Sequence, residues 1–148
     1  MVILRGGSVV SSNPNNTVAN PASGIVGGAL DGVGSATVTS VGSTWQNLNG
    51  ELHVGQSGHG NLLISAGGLV GTESFSGIRI GINATGVGEV MVTGTGSSMQ
   101  TPRELDVGFS GNGRLPIEYN FVPLIAGAGG SWSWAALRVN PGLRLSRR

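Results

Sequence analysis

Four glycines, Gly27, Gly55, Gly81 and Gly108, recur every 26 to 28 residues, each closing a short apolar stretch. The clearest copy runs Leu52-His53-Val54-Gly55, then Gln56-Ser57-Gly58-His59-Gly60, then Asn61-Leu62-Leu63-Ile64-Ser65. The others are Ile78-Arg79-Ile80-Gly81 followed by Glu89-Val90-Met91-Val92-Thr93, and Leu105-Asp106-Val107-Gly108 followed by Arg114-Leu115-Pro116-Ile117. A weaker first copy opens at Gly24-Ile25-Val26-Gly27 and continues through Ser35-Ala36-Thr37-Val38-Thr39. One such unit cannot bury its apolar face alone, whereas stacked units share a continuous core, so repetition at this period points to a solenoid.

The apolar residues alternate within short runs, which is the period of a strand. No i, i+3, i+4 stripe emerges before residue 120. Parallel stacking then places Leu52, Ile78 and Leu105 in one interior column and Val54, Ile80 and Val107 in the next. A second wall stacks Val38, Ile64, Val92 and Ile117, with Ala36, Leu62, Val90 and Leu115 two residues earlier. Between the inward residues, His53, Arg79 and Asp106 point outward. The chain holds 28 glycines, which tolerate positive φ and close backbone approach and so can turn a corner at the same place in every coil. The predicted fold is an all-β parallel β-helix of about four to five coils with an irregular C-terminal tail.

Residues 1–23 read as a partial coil, the closing Gly6-Gly7-Ser8-Val9 piece, followed by a loop inserted over 12–23 and rich in Asn, Pro and Ser. Residues 24–117 hold the repeats, in units 24–50, 51–76, 77–103 and 104–117. Gly42-Ser43-Thr44-Trp45-Gln46 matches Gly96-Ser97-Ser98-Met99-Gln100 at an offset of 54, whereas Gly68-Leu69-Val70 intervenes. Odd and even coils therefore differ, and the natural repeat is a two-coil unit of about 53 residues. Pro116 removes a ladder donor in mid-strand, and the register is expected to end there. Residues 118–148 form a non-repeat tail with Trp132, Trp134 and four arginines, read either as a cap on the solenoid end or as frame-shifted sequence.

Eight arginines, no lysine and seven acids leave a net charge of +1, too small for electrostatic capture of nucleic acid or an anionic membrane. The absence of cysteine excludes disulfide staples and thiolate metal sites. The uncharged stretch 119–137 is broken by Pro123 and several Gly and Ser, which makes it a poor membrane span. Met1 to Gly7 lacks the n-region and long apolar core of a signal peptide.

The run from Gly42-Ser43-Thr44-Trp45-Gln46-Asn47 through Leu52-His53-Val54-Gly55 to Ser65-Ala66-Gly67-Gly68 resembles the repeat of autotransporter (type V secretion) passengers and of some PEP-CTERM surface proteins. The resemblance covers about residues 24–117. It implies a right-handed parallel β-helix in an exported, surface-exposed and often adhesive protein of Gram-negative bacteria. Neighbouring coils of a longer passenger, and a host surface or polysaccharide, are the partners it implies. Met99 replaces the tryptophan expected from Trp45, and neither a translocator barrel nor a PEP-CTERM anchor is read in the chain.

Chemistry on a β-helix needs carboxylates or bases clustered on one outer face. The acids are Asp31, Glu51, Glu73, Glu89, Glu104, Asp106 and Glu118. Glu51 and Glu104 share a position in alternate coils, as do His53 and Asp106, so the two glutamates stand roughly 10 Å apart, near the upper separation for glycoside hydrolysis. A repeated outward residue is most simply a solvated face. His53 and His59 lack a third ligand and read as exposed polar residues. The turn Gly55–Gly60 lacks the Gly-Lys-Ser/Thr of a phosphate loop, and Trp45 reads as strand packing rather than a sugar platform. No catalytic, cofactor-binding or metal-binding residue is assigned, and no cofactor. The expectation is a non-enzymatic stalk or adhesion scaffold with scattered acids. The alternative is a carbohydrate-active β-helix enzyme or polysaccharide-binding module, and three acids converging with an arginine in a groove would sink the scaffold reading.

Overall fold

The computed structural model describes residues 1–15, 17, 21–73, 76–117 and 137–139. It is all-β, and every strand pairing in it is parallel. Rung one comprises β1 (Val2–Ile3), β2 (Ser8–Ser12) and β3 (Ala22–Val26). Rung two comprises β4 (Val33–Thr39), β5 (Thr44–Leu48) and β6 (Glu51–Val54). Rung three comprises β7 (His59–Ser65), β8 (Leu69–Thr72) and β9 (Ile78–Ile80). Rung four comprises β10 (Val87–Thr93), β11 (Ser98–Gln100) and β12 (Leu105–Val107). Below it lie β13 (Asn112–Arg114) and β14 (Leu137–Val139). Stacking gives three walls, ordered β1-β4-β7-β10-β13, β2-β5-β8-β11 and β3-β6-β9-β12-β14.

The interior columns follow the alternation. Leu52 pairs with Ile78 and Ile78 with Leu105, while Val54, Ile80 and Val107 align beside them. Val38, Ile64 and Val92 stack in the first wall, and all of these side chains are buried in one core. In the second wall Trp45, Val70 and Met99 share an inward column. Trp45 donates from Nε1 to Ser11 Oγ at 2.9 Å, so its polar edge is satisfied inside the stack. Gly24 gives it room, because a Cβ there would stand 3.0 Å from the indole ring. Met99 fills the same column two rungs below with an unbranched, adaptable side chain.

The corner from third wall to first wall is the repeated glycine. Gly27, Gly55, Gly81 and Gly108 have φ of 71°, 69°, 69° and 73°. At Gly55 a Cβ would fall 2.3 Å from the Val87 carbonyl, and Gly27 and Gly81 meet the backbone of His59 and Asn112 in the same way. The glycine motif is thus a packing requirement between rungs, and the Gly55–Gly60 segment is a structural turn.

The two-rung period resides in the other corner, from first wall to second. Rungs one and three turn through Arg5-Gly6 and Ala66-Gly67, both residues of each pair at positive φ. Rungs two and four turn through a longer corner, with Ser40 and Gly42, then Gly94 and Gly96, at positive φ. The serine that follows the longer corner is fully buried and reaches up one rung. Ser43 Oγ accepts from Gly6 N, and Ser97 Oγ accepts from Gly67 N, each at 3.1 Å. In rung three that position is Gly68, where a Cβ would lie 2.4 Å from the Val38 carbonyl oxygen.

Three boundaries sharpen the expectation. Rung one contributes to all three walls, but its first-wall strand is the two-residue β1, paired only with Thr37 and Val38 of the seven-residue β4, and Met1 O accepts from Thr37 N at 2.9 Å. β2 and β3 extend into the span read as an inserted loop. The first-wall ladder also passes Pro116: Val92 N donates to Pro116 O at 3.1 Å, and Ile117 bridges to Val92. Pro116 O accepts from the rung above, so its ring nitrogen faces that rung too and the missing N–H costs a ladder bond: β13 pairs continuously only as far as Arg114, and Val92 with Ile117 is a single bridge beyond it. Within the tail, β14 resumes the third wall, Leu105 aligning with Leu137 and Val107 with Val139. Trp132, Trp134 and the other tail positions lie outside the described residues.

Candidate functional site: a charged ladder on the third wall

The outward column of the third wall runs Ile25, His53, Arg79, Asp106 by register. One residue before each inward leucine or isoleucine stand Glu51, Gly77 and Glu104. Two acidic rungs therefore flank a rung that carries one arginine and a glycine.

Arg79 occupies the centre. Its Nη2 lies 3.2 Å from Glu51 Oε1 on the rung above and 3.0 Å from Glu104 Oε1 on the rung below. Its Nε stands 3.4 Å from Asp106 Oδ2, an ion-pair contact rather than an aligned hydrogen bond. Its guanidinium carbon sits 5.3 Å from the centre of the Phe109 ring, within cation–π range. Gly77 makes the convergence possible: a Cβ there would come within 2.9 Å of Glu104 Cγ, in the path that side chain takes toward Arg79.

His53 completes the group. Its Nε2 is 2.8 Å from Glu51 Oε2. Because an ionised carboxylate only accepts, the proton is assigned to Nε2. Nδ1 is buried and has no hydrogen-bond partner among the described residues. The His53 and Asp106 side chains are 4% and 3% exposed, Glu51 is 9% exposed, and Arg79 and Glu104 are 24% and 30% exposed. Outward-pointing here does not mean solvated, and the expectation that His53 and the repeated acids form an exposed face is corrected.

Burial alone would push the Glu51 carboxyl up. The hydrogen bond from His53 and the charges of Arg79, His53 and Arg103 outweigh burial and hold it below its ordinary value. Burial works against the charge of Arg79 as well, and its hydrogen bond to Glu104 with the charges of Glu51, Glu104 and Asp106 raises it instead.

The expectation of scattered acids fails for Glu51, Glu104 and Asp106, which converge on one arginine. Sharing a nitrogen at those distances places the nearer oxygens of Glu51 and Glu104 no more than about 6 Å apart, closer than the pair of an inverting glycosidase. The guanidinium contacts both, in the place a scissile bond would need. A general acid also requires a raised pKa, whereas Glu51 is held low. The remaining described acids lie elsewhere. Glu89 pairs with Arg114 at 3.1 Å, Glu73 approaches Asn49 N at 3.4 Å, and Asp31 occupies a turn at φ 59°. Glu118 lies outside the described residues. His59 is exposed at the start of β7, apart from His53 on β6. Among the described residues no group of three or more His, Asp or Glu is arranged to hold a metal, and no helix is long and apolar enough to cross a membrane.

No protein family, curated protein or solved structure matches the chain.

The sequence signals Glu51, Glu104, His53 and Asp106 through their shared positions, but not Arg79, whose role depends on reaching both neighbouring rungs. The signal available for it is positional: the sole charged residue of β9 lies between two acid-bearing rungs, beside the only glycine of the Glu51–Gly77–Glu104 column.

Proposed function

We propose that this chain is a structural segment of a surface-exposed, autotransporter-like passenger β-helix, serving as a non-enzymatic stalk or adhesion scaffold. The observation that carries the reading is the Arg79 clamp. The carboxylates that could have formed a reactive pair are bound to a cation of their own chain and join three successive rungs. The resemblance of residues 24–117 to passenger repeats supports export to the cell surface, with neighbouring coils and a host surface or polysaccharide as partners. A solenoid suits that role because each added rung lengthens the rod without altering its cross-section.

The convergence of three acids on Arg79 beside Phe109 favours a second reading, a carbohydrate-active or polysaccharide-binding module. Incubation of the purified chain with a panel of neutral and acidic polysaccharides separates the two. The scaffold reading expects no new reducing ends and no unsaturated products. Product release that is abolished in both Glu51→Gln and Glu104→Gln would overturn it.

A further inference from the structure

We propose that the third wall is an acid-sensitive seam, in which protonation of the carboxylates around Arg79 frees β6, β9 and β12 from one another's side chains while the first and second walls stay paired. The argument begins with how unevenly charge is distributed among the walls. The described ion pairs of the stack are the four contacts of the Glu51–His53–Arg79–Glu104–Asp106 group and one exposed pair, Arg114 with Glu89, on the first wall. The second wall is tied across rungs by hydroxyls and an amide, as in Thr44 to Ser8, Asn47 to Gly71 O and Thr72 with Thr101. Those groups do not titrate in acid, and the acids on the other two walls, Glu89 and Glu73, each make one exposed contact, so a fall in pH bears most on the third wall.

The groups facing Glu51 are known element by element. β6 brings His53, β9 brings Arg79, and β12 with the residue before it brings Asp106 and Glu104. Arg103 contributes positive charge from the preceding segment. β3 contains no titratable residue, and β14 carries Arg138 at the register position next to Asp106. At neutral pH three carboxylates thus surround Arg79, with Arg103 near. Protonation of Glu51 removes the anion that faces Arg79 from the rung above, leaving the half-buried guanidinium less compensated.

The sign follows from the direction of the Glu51 shift. A carboxyl held below its ordinary 4.5 in the folded chain contributes stability that is present in full above that value and is lost as pH falls through the folded value. The seam therefore holds at neutral pH and loosens as pH falls below about 4.5.

Hydrogen exchange of the full chain at pH 7 and pH 3, corrected for the intrinsic rate at each pH, reads this wall by wall. The expected result is an increase of about tenfold or more at Val54 and Ile80, relative to Ile64 and Val92, on acidification. Glu51→Gln should be faster at Val54 and Ile80 already at pH 7 and should respond less to acid. Glu89→Gln, which removes the exposed first-wall pair, should retain the wild-type pattern. Equal acceleration in all walls, or none in the third, overturns the proposal. Should Glu51→Gln not fold, the wall-resolved pattern of the wild-type chain and of Glu89→Gln still decides it.

Discussion

Arg79 holds two carboxylates on one nitrogen and a third beside another, each from a rung that is not its own. Isolated pairs on a wetted surface contribute little, about 0–1 kcal/mol, but the acids here are enclosed and their desolvation has already been incurred. Removing the cation leaves Glu51 and Asp106 nearly buried and facing each other's charge. Arg79→Met keeps most of the aliphatic stem and discards the guanidinium, so its cost isolates the clamp. The expected loss is on the order of 3 kcal/mol, within the range for breaking one side of a buried pair, read as a lower urea midpoint at pH 7. An unchanged midpoint would show that the acids are solvated in solution. Much of this site was legible from sequence, since Glu51 and Glu104, and His53 and Asp106, sit at equivalent positions 53 residues apart. Its closure was not, because period-two reasoning fixes which way a side chain leaves the strand and says nothing of how far along the rod it reaches. Gly77, a residue without a side chain, sets that reach.

At the scale of strands and turns, alternation settles the inward columns, and register agrees with sequence at Leu52, Ile78 and Leu105. Corners were half legible. The recurrence of Gly55 and its counterparts marks where the chain turns, and the match between Gly42–Gln46 and Gly96–Gln100 marks which rungs are alike. The reason for the likeness, a buried serine hydroxyl accepting from the glycine N–H one rung above, needs the stack to be assembled. The tail strand was hidden for a simpler reason: Leu137-Arg138-Val139 has the wall's apolar–polar–apolar pattern, but it follows Val107 after a longer gap than the repeat allows. Glycine corners can be ranked by what a methyl group would meet. Gly55→Ala adds a Cβ 2.3 Å from Val87 backbone atoms at φ 69°, so strain and overlap combine. A loss above about 3 kcal/mol is expected. Gly42→Ala has φ 80° but its nearest neighbour is Gly6 Cα at 3.4 Å, so only the left-handed penalty of about 1–2 kcal/mol applies. Thermal unfolding of the two variants should separate them in that order, and the reverse order would refute the packing account of the repeated glycine.

For the whole rod, the unit that propagates is a pair of rungs. The alternating corners make odd rungs fit only between even ones, and the charged ladder follows the same alternation, acid-bearing rungs on either side of the arginine rung. Duplicating residues 43–96 in tandem keeps both patterns. It places a second Glu51 beneath the first Arg79 and a second Arg79 above Glu104, and each longer corner still presents its serine to a glycine above. Duplicating residues 55–80 instead repeats rung three on itself. Gly68 of the inserted rung then falls beneath Gly67, whose N–H loses the hydroxyl that Ser97 supplies in the native order, and two arginine rungs become neighbours without an acid between them. Since solenoid stability grows with each favourable rung interface, the two-rung insertion should raise both the melting temperature and the urea m-value. The one-rung insertion should raise the m-value less and lower the melting temperature below that of the native chain. Calorimetry and urea unfolding of the three lengths test this, and a one-rung insert at least as stable as the two-rung insert would show that a single rung, rather than the pair, is the unit of this fold.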